Sequence, residues 1–226
     1  MNILKGASLV VSWVFHPLLI LTYVLIMMIA ANPYPFGVPR WTDHSGLIGQ
    51  VFAYTFFLPA FAVVLFRLVG FSKTLGMSDS KERVGPYIAS GIVYMWMFTT
   101  LQHHPLLPPL YKVFMLGATI SLFLAFFINN FSKISAHTTG MGGFLGMWLV
   151  VMTQGYGDAL LVRVPLTSAL VNLNMEAILM LVVLCAGLVG SARLFLKAHE
   201  PKEVYGGYLV GFAGQLIAQQ FIHFFV

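Results

Sequence analysis

Cysteine is nearly absent from this sequence, and so is charge. The single thiol, Cys185, excludes an intrachain disulfide and leaves the redox compartment open. Charged residues make up 8% of the 226 positions, against about 25% in an ordinary soluble domain. Acidic residues are scarcest: seven Asp and Glu stand against twelve Lys and Arg, a formal net charge of +5. What is there instead is apolar surface, 59% of all residues, more than a soluble core absorbs. Lipid must cover the remainder.

Segments of about 20 apolar residues, the length that crosses a bilayer, run from Ala7 to Ala31, Leu47 to Gly70, Pro86 to Gln102, Leu110 to Asn130, Thr138 to Gln154, Ala169 to Ala192 and Val204 to Val226. The third and fifth sit at the short limit, so the expected fold is all-α: a polytopic transmembrane bundle of six to seven helices. Residues 1–226 read as one membrane domain without linker, repeat or low-complexity tract. The first run exceeds the core of a signal peptide and is read as a retained helix.

If seven helices alternate in direction, the gaps fall on two faces. One face takes the N-terminus and residues 71–85, 131–137 and 193–203, with Lys5, Arg67, Lys73, Lys81, Arg83, Lys133, Arg193, Lys197 and Lys202. The other takes residues 32–46, 103–109, 155–168 and the C-terminus, with Arg40, Lys112 and Arg163. Cationic flanks of membrane helices account for the basic excess without a nucleic-acid partner, and the positive-inside rule puts the basic face in the cytoplasm. A site for an anionic head group concentrates cations in the same way, so both origins stay open.

Three gaps on the basic face hold residues suited to phosphate chemistry. They are Lys81 and Arg83, Ser135 and His137, and Arg193, His199 and Glu203. Two helices separate each gap from the next, which returns all three to one surface. Phosphoryl transfer needs donors for the phosphate oxygens, an in-line nucleophile and an acid for the leaving alkoxide. His199 and Glu203 are four apart, so on one helix face the carboxylate can take the Nδ1 proton and leave Nε2 as nucleophile. Arg193 and Arg83 offer planar forks. Ser135 and the free N–H groups around Thr138 and Thr139 can cradle an oxygen, and His137 is the candidate acid.

This set resembles the type 2 phosphatidic acid phosphatase family of membrane lipid phosphatases, over roughly residues 70–215. The third motif of that family, Ser-Arg-x5-His-x3-Asp, is followed closely by Arg193, His199 and Glu203, then Val204 and Gly206. The second, Pro-Ser-Gly-His, is matched by Ile134, Ser135, Ala136 and His137, and the first, Lys-x6-Arg-Pro, poorly by Arg83 with Pro86, with Lys81 or Lys73 as the cation. The resemblance implies a bacterial-type integral protein of the inner cell membrane. It further implies a metal-independent hydrolase without cofactor, cutting a terminal phosphate from a phosphatidate, phosphatidylglycerol phosphate, prenyl diphosphate or lipid A type substrate. Carried over, His199 is the nucleophile oriented by Glu203, His137 the acid, and Arg193, Arg83, Ser135 and Lys81 hold phosphate.

Two departures bear on activity. Glu203 stands where the family has Asp, one methylene longer, and Ala136 adds a Cβ where the family has Gly. The alternative is therefore an inactive member of the same fold that binds a lipid head group or a protein partner. A haem carrier or small transporter needs paired histidines at matched depth: His103 and His104 are adjacent and read as a solvated helix end, whereas His16, beside Pro17, is an ionisable group at depth and a candidate by default. Glu176, Asn172 and Asn174 read as packing glue between helices. The glycines from Gly140 to Gly143 fit a phosphate seat and close helix packing equally well.

Overall fold

Apolar segments in lipid must satisfy their own backbone groups, which favours helices throughout. The computed structural model describes residues 3–31, 44–71, 81–153, 159–163 and 170–225, and they are mostly helical. The order is α1 (Ile3–Val14), α2 (Pro17–Ala31), α3 (Ser45–Phe52), α4 (Leu58–Leu68), α5 (Val84–Leu101), α6 (Pro109–Asn129), α7 (Ala136–Thr153), a hairpin of β1 (Ala159–Arg163) and β2 (Leu170–Asn174), α8 (Met175–Phe195) and α9 (Pro201–Gln219). Lys73 and Arg40 lie outside the described residues.

Three expectations change. The first apolar run is two helices, α1 and α2, bent by 61°. Pro17 has no N–H and starts the second helix rather than continuing the first. The second run is continuous from Ser45 to Leu68 but carries a π-turn at Ala53–Phe57, just ahead of Pro59. The sixth begins at Met175 rather than Ala169, because Leu170–Asn174 pair antiparallel with Ala159–Arg163 in a register that sets Ala159 opposite Asn174. Asn174 then caps α8, its side chain accepting from the Glu176 N–H at 2.8 Å.

Length and apolarity qualify three stretches among the described residues as able to cross a membrane: Ser45–Leu68, Pro109–Asn129 and Met175–Phe195. The bent α1–α2 pair makes a fourth if it counts as one span. These stretches also carry the exposed bulky residues a bilayer would cover, such as Phe57 at the end of the π-turn, Phe61 and Leu68 on α4, and Met180, Leu181 and Leu184 on α8.

The glycine-rich α7 and α9 form the closest pair in the fold and pack further against α6 and α8. Their approach depends on absent side chains: a Cβ at Gly211 would fall on the Thr139 carbonyl and the Gly143 N–H, and one at Gly142 on the Tyr208 backbone. On the faces where two helices meet this closely, small residues matter more than apolar ones.

Candidate active site

Because α5, α7 and α9 run the same way, their N-terminal ends meet, together with the C-terminal end of α8. Side chains fasten the junction. Arg83 donates from Nη1 to the Ile134 carbonyl at 3.0 Å, Lys133 Nζ donates to the Ala198 carbonyl at 2.8 Å, and the Ser135 N–H donates to the Glu203 carbonyl at 3.2 Å. Three chain segments more than 50 residues apart are thereby held at one level.

His199 lies in the short connection before α9, its side chain 2% exposed. Its Nδ1 is 2.7 Å from Glu203 Oε2: His199 stands before the N-cap of α9 and meets a residue of that helix's first turn, so the pair does not share one helix face as the spacing of four suggested. The longer arm of Glu203 serves two donors at once, since the same oxygen accepts from the Glu200 N–H at 3.2 Å. Lys133 Nζ stands 4.0 Å away. A carboxylate so placed accepts a hydrogen bond from Nδ1–H, which keeps that tautomer and leaves the Nε2 lone pair outward. Burial pushes the imidazole down to about 4; the Glu203 bond works against that, and the charges of Arg83, Lys133 and Arg193 add to it. Burial likewise lowers Arg83 from its ordinary value, opposed by Tyr87 and Glu203.

A cavity of about 540 Å³ opens at this junction, and His199, His137, Arg193, Arg83 and Ala136 all line it. It continues into the bundle as far as Tyr94 and Gln215. Gln215 lies 14 residues along α9, about 21 Å at ~1.5 Å per residue, so the cavity has the depth of a lipid chain rather than of a head group alone. Its deep walls are mostly apolar and aromatic. On one flank α1 packs against α8 while α4 packs against α5. Between them Leu9, Trp13 and Val64 are cavity wall and exposed surface at once.

Among the described residues, two polar atoms at the mouth are buried without a hydrogen-bond partner, Arg193 Nε and the Tyr87 hydroxyl. Arg193 spends Nη1 on the Ser12 hydroxyl at 3.3 Å. A buried guanidinium N–H lacking an acceptor is costly, and an anion in the cavity would supply one.

Two expected ligands stand elsewhere. Ser135 is fully buried and does not line the cavity; its hydroxyl faces the Thr138 N–H at 3.5 Å and its carbonyl accepts from Thr138 and Thr139. Serine before a helix is drawn to its free N–H groups, and capping α7 takes the hydroxyl away from phosphate. Lys81 is exposed in the turn before α5 and is absent from the cavity wall. Of the glycine run, Gly142 meets α9 and Gly140 lies against Pro17 of α2, which favours the packing reading.

The first apolar run supplies one residue missed at sequence level, Ser12, and seats His16, which its depth beside Pro17 had marked as a candidate. Ser12 is buried against both His137 and Arg193, and His16 lies edge-on to His137 with ring centroids 5.2 Å apart. Pro17 was the available signal: it marks a helix boundary at which a polar pair is exposed to the interior. His103, His104 and His223 stay away from this cavity, and among the described residues no three His, Cys, Asp or Glu side chains group as metal ligands. No family model, curated protein or solved structure matches the chain.

Proposed function

We propose that the protein is a lipid phosphate phosphatase of the type 2 phosphatidic acid phosphatase kind, spanning the membrane six or seven times, of the bacterial inner-membrane type. It removes a terminal phosphate from an amphiphilic phosphomonoester or diphosphate. One observation carries this reading: a histidine whose Nδ1 is held by a carboxylate at 2.7 Å shares one cavity mouth with a second histidine and two guanidinium groups.

In this reading Arg193 and Arg83 take the phosphate oxygens, and the tail lies along the apolar depth of the cavity. Nε2 of His199 attacks phosphorus while the ester P–O bond breaks, and the leaving oxygen takes a proton from His137. Glu203 stabilises the positive charge that grows on the His199 ring. Water then attacks the phosphohistidine, giving its proton to His137, and the P–N bond breaks to release inorganic phosphate and restore both rings.

Phosphate release by detergent-purified protein from phosphatidate, phosphatidylglycerol phosphate, prenyl diphosphate and lipid A substrates tests the proposal. His199→Ala should abolish release while the protein remains folded. Full activity in that variant refutes the assignment. Head-group binding with no phosphate release by the unaltered protein on any of these substrates establishes the inactive alternative.

A further inference from the structure

The first apolar run was outside the resemblance, yet it supplies two contacts to the catalytic groups. In an unbroken helix the Ser12 carbonyl would accept from the N–H of residue 16. Here the His16 N–H turns instead to the Trp13 carbonyl at 3.3 Å, the Phe15 N–H goes to Val11 at 3.0 Å, and Pro17 has no N–H to give. The Ser12 carbonyl is thereby released, and its partner is His137 Nε2 at 3.1 Å. A carbonyl only accepts, so Nε2 must be the protonated nitrogen of that ring, and Nδ1 is left for proton transfer. His16 supports the arrangement from the side: its Nδ1 accepts from the Leu18 N–H at 3.4 Å, capping α2, while its ring lies against that of His137. Gly140 lets α7 pass close to Pro17, where an added Cβ would stand 3.2 Å from the proline ring.

We infer that the break between α1 and α2 is a working part of the site, the Ser12 carbonyl fixing His137 so that Nδ1 serves the leaving oxygen. This rests on the function proposed above. His137 enters this step as the imidazolium: Nε2–H stays on the Ser12 carbonyl while Nδ1–H gives its proton to the departing alkoxide as the ester P–O bond breaks. The neutral Nδ1 then takes a proton from the water that attacks the phosphohistidine. Ser12 acts through its backbone and Pro17 through the helix it interrupts, so both are positioning residues.

Leaving-group dependence separates this role from simple support of the fold. A misplaced acid slows substrates with basic leaving oxygens and spares those whose leaving group departs unprotonated. Rates are to be compared for phosphatidate and p-nitrophenyl phosphate in the full-length protein, Pro17→Ala, His137→Gln and the double variant. Pro17→Ala should lose about tenfold on phosphatidate, a fraction of what a general acid contributes, and stay near the parent rate on the aryl ester. The double variant should be no slower than His137→Gln alone. Equal losses on both substrates, or additive losses in the double variant, overturn the inference.

Nitrogen-15 NMR of histidine-labelled, unsubstituted protein reads the same point without a variant that must fold. It should find the His137 ring protonated on Nε2, and a neutral ring protonated on Nδ1 alone overturns the inference. Phosphate release surviving in His199→Ala would instead remove the underlying function, a separate failure.

Discussion

Glu203 offers the sharpest test of the geometry of the proposed nucleophile, because shortening the side chain and removing its charge have different consequences. Glu203→Gln keeps the arm length. Both groups that approach Oε2, His199 Nδ1–H at 2.7 Å and the Glu200 N–H at 3.2 Å, are donors, so the amide should present its oxygen to them and retain the tautomer. What is lost is the charge that stabilises the developing imidazolium. A charge-assisted hydrogen bond is worth about 1.5–3 kcal/mol, so kcat should fall by about ten- to a hundredfold with KM little changed. Glu203→Asp keeps the charge but withdraws the carboxylate by about 1.5 Å, one C–C bond. Drawn straight back, that opens the contact to about 4 Å, beyond hydrogen-bond reach, and frees the ring to turn. The loss should therefore equal or exceed that of Gln, even though Asp is the residue of the family this chain resembles. Initial rates on phosphatidate in mixed micelles, with the acid-labile phosphohistidine trapped from single turnovers, distinguish the two. An Asp variant as active as the parent would show that the 2.7 Å contact does not orient the ring, and a Gln variant at full rate that the carboxylate charge does not stabilise it.

Other consequences follow from the same contacts. His199 is held neutral down to about pH 4, below its ordinary 6.5, so the acid limb of kcat/KM should fall near 4 rather than near 6.5. Its folded pKa is the lower one, so between those values the unfolded chain binds more protons. The stability from keeping this ring neutral is present above 6.5 and declines as pH falls toward 4, measurable by thermal unfolding in detergent. Ser12→Ala leaves the carbonyl in place and removes only the hydroxyl beside Arg193; KM should rise by a few fold, about 1 kcal/mol, while leaving-group dependence stays as in the parent. Gly211→Ala should lower stability by about 1–3 kcal/mol or more, because its Cβ meets rigid backbone on α7. Gly206→Ala on the same helix meets nothing within 4 Å and should be neutral or stabilising by up to ~1 kcal/mol from helix propensity.

Helix positions were readable from apolar run length because length against a bilayer is a one-dimensional property. The neighbourhood of Arg83, His137, Arg193 and His199 was readable from parity: an even number of helices between gaps returns the chain to the same surface. The His199–Glu203 contact was legible from their spacing of four, although His199 precedes α9 and only Glu203 lies on that helix. What composition conceals is where a backbone group is released. The run from Ala7 to Ala31 is apolar across the break, and hydropathy does not register that Pro17 withholds an N–H from the helix before it. Ser135 shows the reverse difficulty. A serine ahead of a helix suits an anion ligand and an N-cap equally, and only the side-chain position tells which demand was met. The hairpin at β1 and β2 lay in a stretch read partly as loop and partly as span, since Leu170–Asn174 is apolar enough for either.

The distribution of apolarity among the helices carries its own argument about the site. The stretches that qualify as spans by composition, Ser45–Leu68, Pro109–Asn129 and Met175–Phe195, contribute walls and, at the end of α8, Arg193. The two histidines of the proposed reaction belong instead to the start of α7 and the approach to α9, whose glycines let their backbones nearly touch. That closeness sets the separation of the two N-terminal ends to within the give of packed backbone, far less than side-chain rotation alone would allow. A wider spacing, such as Leu or Ile at Gly211 and Gly142 would force, would part the helix ends that carry His137 and precede Glu203. Small residues on α7 and α9 are therefore required by the distance between two imidazoles as much as by helix packing, and apolarity is surrendered where neighbouring helices, rather than lipid, form the surroundings.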